Sequence, residues 1–219
     1  MRRNLTKALD VGYKSVQMML RMFSIFLAAL VLAACGAGGG DSPGSGIDPR
    51  LGRLDIYAAQ KLRVLGDPGA GVMAMPVTAE MPTSGTVDFA GFATINIEAQ
   101  DPLVLFGDLL VSVTFETEQI AGHMNRFFGT NSQGQVVDYA GDIAVISGAV
   151  GGAAASDVRL EYAGMLTAPD ETLVFDGTAA GSFLATPIAA ISLSELEAAV
   201  LHNGIMTNAT LLLVGEVAQ

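Results

Sequence analysis

Cysteine occurs once, at Cys35, so the chain can build neither a disulfide framework nor a thiolate metal site. Tryptophan is absent, and the two histidines, His123 and His202, stand far apart with no further ligand at metal-like spacing. No G-x-S-x-G, H-E-x-x-H or calcium-loop pattern occurs. These gaps remove the usual signatures of nucleophilic and metal-dependent catalysis, and the reading is a non-enzymatic protein with no cofactor and no metal. Basic residues are scarce too, 11 against 22 acids. Beyond residue 34 only six bases face 21 acids, a balance of −15. A surface of that sign repels nucleic acid and anionic lipid headgroups, so binding to either by charge is disfavoured.

The one long apolar run is Phe23 to Ala34, twelve residues that fit the core of a secretion signal and fall short of a membrane-spanning helix. Arg2, Arg3, Lys7, Lys14 and Arg21 give it a basic leader, with Met18, Met19 and Met22 as alternative starts. Leu32-Ala33-Ala34-Cys35 closes the run with small residues before a thiol. The expectation is a bacterial lipoprotein: signal peptide 1–34, cleavage before Cys35, and palmitate-type acylation of Cys35 as the membrane anchor. The alternative is an exported protein cut near Ala34, with Cys35 incidental. Gly36, in place of an aspartate, leans towards the outer membrane, facing either the periplasm or the cell surface. Residues 36–46, rich in glycine with Ser42, Pro43 and Ser45, read as part of a linker over 35–47.

Residues 48–82 read as a helix and an extended strap. Asp48-Pro49 is a helix start, a capping carboxylate followed by proline at the first helical position. Leu51, Leu54, Ala58, Leu62 and Leu65 recur at three- and four-residue spacing and predict the packing stripe. Arg50, Arg53, Lys61 and Arg63 are expected to flank that stripe and pair with acids of the following domain, in preference to facing a membrane. Gly66 ends the helix and Asp67-Pro68-Gly69 makes a turn. Gly69 to Ala74 matches a nucleotide-binding glycine pattern by letters only. It follows a helix instead of a strand, and Pro76 keeps it from opening another.

From residue 83 to 219 the period is two. Val87, Phe89, Gly91, Ala93, Ile95 and Ile97 alternate with polar residues. The same alternation runs through Leu109 to Phe115, Val158 to Leu166, Leu173 to Phe183 and Leu211 to Val217. Weaker runs lie at Ile120 to Met124 and Ile143 to Val145, and an eighth strand falls in 188–193 or 72–79. Short turns at Thr117-Glu118 and Ala168-Pro169-Asp170 imply an antiparallel meander. The fold class expected is all-β, a small up-and-down barrel of about eight strands. Its interior is filled by Phe89, Phe115, Phe175 and Phe183, with inward glycines, among them Gly91, Gly122 and Gly181, giving room to bend. Charged residues on the outward parity, such as Asp88, Glu116, Arg159 and Asp176, argue against a lipid-facing wall. Ser194-Glu195-Leu196-Glu197 matches a capping box and predicts a short helix through Leu201, closed by Asn203-Gly204, with His202 in its last turn.

Candidate site residues are few. Phe127-Phe128 would put one ring on each face of a strand, so one ring is expected outside as a partner contact, with packing against the helix or strap as the plainer reading. Asp138 and Asp142 are a carboxylate pair by spacing, more simply read as solvated. Two readings compete with a binding module: an envelope protein without specific ligand, and a lipocalin-like carrier of a small apolar molecule.

Three stretches resemble the C-terminal barrels of the transferrin-binding-protein-B-like surface lipoproteins, which include the factor H-binding lipoproteins. Gly85-Thr86-Val87-Asp88-Phe89-Ala90-Gly91 is similar to their Gly-Thr-x-x-aromatic-x-Gly opening strand. Val113-Thr114-Phe115 with Ile120-Ala121-Gly122 is similar to their second hairpin. Gly177 to Phe183 looks like their late Gly-x-Phe-Tyr-Gly strand, although Leu184-Ala185-Thr186-Pro187 stands where that family carries tyrosine, glycine and a small acidic motif. The resemblance implies an eight-stranded barrel on a lipid tether, often at the cell surface to bind a protein. Monomeric behaviour is expected.

Overall fold

The computed structural model describes residues 48–218. The signal segment, Cys35 and the glycine-rich linker lie outside these residues.

Helix α1 spans Pro49–Leu65 and starts as the sequence dictates. The Asp48 carboxylate accepts the Arg50 amide at 2.9 Å, Pro49 fills the first position, and the Gly66 N–H closes the helix onto the Leu62 carbonyl. The Arg50 guanidinium beside Asp48 holds that carboxyl below its usual range. Asp67 then accepts the amides of Gly69 and Ala70 in a single 3-10 turn, so no helix follows the glycine pattern. A strap runs on from there. The Met75 amide bonds the Val64 carbonyl at 2.9 Å, Thr78 bonds Phe183 at 3.0 Å, and Ala185 bonds Pro76 at 2.7 Å.

Eight antiparallel strands complete the chain: β1 Thr86–Ile97, β2 Leu103–Thr114, β3 Gln119–Thr130, β4 Val136–Val150, β5 Asp157–Ala168, β6 Glu171–Leu184, β7 Ala190–His202 and β8 Ile205–Val217. Each pairs with its sequence neighbours, and β1 pairs with β8 from Phe89↔Val217 to Ile97↔Ala209, so the sheet closes into an up-and-down barrel. Closure leaves no unpaired edge, which is how a meander of this length avoids presenting a free row of amides. The eighth strand falls in the 188–193 region rather than in 72–79.

The inward parity is apolar, as the period requires. Phe89, Phe115 and Phe183 meet at ring centroid distances of 5.8–5.9 Å, and Phe175 is buried with them in one continuous core. The glycines do two different jobs. At Gly91 and Gly181 a Cβ would fall 1.9 Å from the Val214 carbonyl oxygen and 1.8 Å from that of Ser192, so the neighbouring strand closes onto the bare backbone. At Gly215 the space is taken by Phe89 and Ile191, the ring-over-glycine arrangement.

Two expectations are overturned. The segment 194–201 is strand, the middle of β7, with Leu193, Ala198 and Val200 in the core and partners on both sides. A bulge between Glu195 and Ala198 inserts residues into the alternation, so the period of two breaks and the letters imitate a helix. Pairing with β6 and β8 outweighs the local capping signal. Asn203-Gly204, both at positive φ (50° and 83°), forms the tight β7–β8 hairpin turn instead of a helix end. The second correction concerns α1. Its buried residues are Tyr57, Gln60 and Val64; of the expected stripe Leu54 and Leu65 pack against the same cluster, whereas Leu51, Ala58 and Leu62 are exposed. Polar anchoring decides the rotation: Gln60 Nε2 donates to the Ala90 carbonyl at 2.9 Å and Tyr57 stacks on Phe92 at 5.3 Å.

Candidate interaction face

The loops and strands bring the sequence candidates to separate places. Phe127 and Phe128 are both buried. A bulge between Met124 and Phe127, with Arg126 at φ 50°, resets the parity of β3. Phe127 then turns inward over Gly107, where a Cβ would come within 2.6 Å of its ring. Phe128 turns outward but lies beneath α1, 5.9 Å from the Phe106 ring and 4.7 Å from the Arg53 guanidinium. The exposed ring expected as a partner contact is therefore absent, and the packing reading describes these residues.

Around Phe128 the helix is latched by charge. Asp108 on β2, largely buried, accepts Arg53 Nη2 at 2.7 Å and also takes the Tyr57 hydroxyl and Arg126. Arg50 lies 3.4 Å from Asp138, and Arg63 binds Glu216 at 2.6 Å. Arg50, Arg53 and Arg63 thus pair with barrel acids, as expected. Asp138 and Asp142 do not act together: Asp138 faces Arg50, while Asp142 stands opposite Met165 on β5.

Two carboxylates are sequestered in the barrel. Glu171 is buried and accepts the Tyr139 hydroxyl at 2.5 Å and the Ser132 amide at 2.6 Å, tying the β3–β4 loop to the start of β6. Glu195, at the β7 bulge, accepts the Tyr162 hydroxyl at 2.8 Å and the Thr178 amide at 2.9 Å. Gly177 makes this pair fit, because a Cβ there would lie 2.5 Å from the Tyr162 oxygen. Burial, then the carboxylate partner, pushes both phenols above their ordinary range. These pairs brace the wall.

His202 ends β7 on the inward parity, opposite Leu173 and Ile205, and not in a helix turn. It lines an open cleft of about 540 Å³ at one barrel mouth with Glu98, Asp101, Asn203 and Asn208. His123 sits on the outer wall between Leu110 and Ala144. No group of three His, Cys, Asp or Glu residues suited to a metal ion occurs among the described residues.

What remains as an interaction face is a row that the sequence does not announce. Strand register places Met165 opposite Val174, Val174 opposite Leu201, and Leu201 opposite Met206, one apolar residue per strand across β5 to β8. All point outward, and Met165 and Met206 are more than half exposed; exposed Ile205, at the hairpin tip, has the opposite parity and lines the barrel mouth with His202. Asp142 stands at one end of the row, and Asp176 lies two residues beyond Val174. Each residue alone is an ordinary surface hydrophobe. Only the register lines them up, so the signal is invisible along any single strand. The geometry fits an apolar contact surface, with flexible methionines that adapt to what meets them. Comparison of the chain with known protein families, with curated proteins and with solved structures finds no match.

Proposed function

We propose that the chain is a lipid-anchored outer-membrane lipoprotein whose barrel is a non-enzymatic binding module for a protein or small partner, of the kind that the transferrin-binding-protein-B-like resemblance implies. The observation that carries the reading is Cys35, the lone cysteine, placed after Leu32-Ala33-Ala34 and ahead of a domain that begins at Asp48. The Met165–Val174–Leu201–Met206 row supplies a contact surface for the partner. The packed aromatic interior favours a surface binder over a carrier of an enclosed ligand.

Metabolic labelling with palmitate, wild type against Cys35→Ser, tests the tether. Label on the wild type alone is the expected result; equal label on both would refute acylation at Cys35. A photo-crosslinking residue at position 206 in the same cells tests the binding role. A discrete adduct that disappears in Met165→Asp supports it, and no adduct in the wild type favours an envelope protein without specific ligand.

A further inference from the structure

Helix α1 carries apolar residues on two sides: Leu54, Tyr57, Val64 and Leu65 pack with Phe92, Phe128, Leu184 and Val214 of the barrel, and a second set faces out. Beside that packed side it turns Arg50, Arg53 and Gln60 to the barrel, where they bond Asp138, Asp108 and the Ala90 carbonyl. Towards the outside it turns Leu51 (39% exposed), Ile56 (65%) and Leu62 (41%), with Ala58 and Ala59 between them. Met73 of the strap, 85% exposed, extends this surface. The strap crosses the end of α1 at Gly66, where a Cβ would lie 2.6 Å from the Met73 carbonyl carbon. A surface helix normally presents its polar side to water, so an outward apolar side is the informative feature.

Charge points to what covers it. Of the six basic residues beyond residue 34, Arg50, Arg53, Lys61 and Arg63 belong to α1, and Arg126 joins Arg53 on Asp108. Only Arg159 lies elsewhere. On this side Arg50 serves both Asp48 and Asp138, Arg53 and Arg126 serve Asp108, and Arg63 serves Glu216, which leaves Asp55 exposed on the face itself. Acids and bases nearly balance on this flank, so phosphate headgroups repel it less than the acidic chain as a whole. Covalent reach agrees: Asp48 is 13 residues beyond Cys35, so a lipid on that cysteine keeps the start of α1 within about 45 Å of the bilayer.

We infer that the outward face of α1, with Met73, rests on a zwitterionic phospholipid surface and holds the barrel at a fixed orientation to the membrane. Leu51, Ile56 and Leu62 enter the boundary between headgroups and acyl chains. Asp55, on the same face, meets the headgroup ammonium, while Arg63 stays paired with Glu216. Attachment is apolar and local, so the overall acidity of the barrel does not oppose it. This assignment rests on the tether reading for its reach, not for its surface.

The absence of tryptophan makes the test direct. Leu62→Trp, and independently Leu51→Trp, place a single reporter on the face of the full-length lipidated chain, reconstituted in phosphatidylcholine vesicles carrying doxyl-labelled acyl chains. A blue-shifted emission and about a twofold quenching are expected, since an interfacial helix face sits roughly 5–10 Å into the headgroup–acyl boundary. Leu196→Trp, in the exposed β7 bulge, is the control and stays unquenched. Unquenched emission from both face reporters, on chains whose Cys35 carries palmitate, would overturn the assignment while leaving the tether intact. A blue shift without vesicles that vanishes on dilution would also overturn it, because the occupant is then a second copy of the chain. Quenching in chains that carry no palmitate supports the face and removes only the tether.

Discussion

A methyl group on Gly181 would sit 1.8 Å from the Ser192 carbonyl oxygen and 2.7 Å from the Leu193 Cα, both backbone atoms of the adjacent strand. No rotamer change relieves such a contact, so β6 and β7 must separate locally. Gly181→Ala is expected to cost about 2–3 kcal/mol, the upper range for overpacking a filled core. A fall in the urea midpoint at unchanged slope would show it. Gly204→Ala places its methyl in open space, and its cost comes only from the positive φ of 83°. An equal loss at both positions would mean that conformational freedom, not strand approach, fixes glycine in this barrel.

At the scale of elements, α1 is held by an apolar cluster through Leu54, Tyr57, Val64 and Leu65 and by one carboxylate with three partners. Asp108 collects Arg53, Tyr57 and Arg126, so Asp108→Ala leaves two guanidinium groups without their main acceptor beside the buried Phe128 ring. Breaking a half-buried charged network costs about 2–3 kcal/mol. Here that loss should fall on the helix alone: amide exchange across 49–65 is expected to quicken while the strands stay protected. Uniform quickening across the barrel would show that α1 and barrel unfold as one unit. The same element shows what could be read in advance. Its ends were legible because Asp48, Pro49 and Gly66 act locally. Its rotation was not, because the choice of buried face lies with Asp108 and the Ala90 carbonyl, tens of residues away. The strands followed the same division. Alternation located most of them and their inward rings, since each side chain reports its own face. The bulge at Glu195–Ala198 defeated the reading of residues 194–201, because one inserted residue moves every later side chain to the opposite face. Phe127-Phe128 do put one ring on each face, and only the cover of α1 over Phe128 removes the exposed contact. The Met165–Met206 row depends on register between strands, which no stretch of a single strand records.

The barrel as a whole carries its two interior phenols as proton stores. Tyr139 and Tyr162 are buried against Glu171 and Glu195, which raises their folded pKa values well above the ordinary 10.0. In the unfolded chain both phenols lose protons near that ordinary value, while the folded chain keeps them. Their contribution is therefore complete below pH 10 and shrinks as pH rises beyond it. The slope is about 1.4 kcal/mol per pH unit for each phenol, or about 2.7 for the pair. Denaturation midpoints measured from pH 9 to 12 should bend downward near 10, and Tyr162→Phe should halve the later slope. Tyrosinate absorbance supplies the independent check. The chain has four tyrosines, Tyr13, Tyr57, Tyr139 and Tyr162, and the last two should ionise only in step with loss of the fold. Smooth titration of all four while the strand signal persists would show that the barrel interior admits hydroxide, and a core open to that extent would return the carrier reading to contention against the surface-binding one.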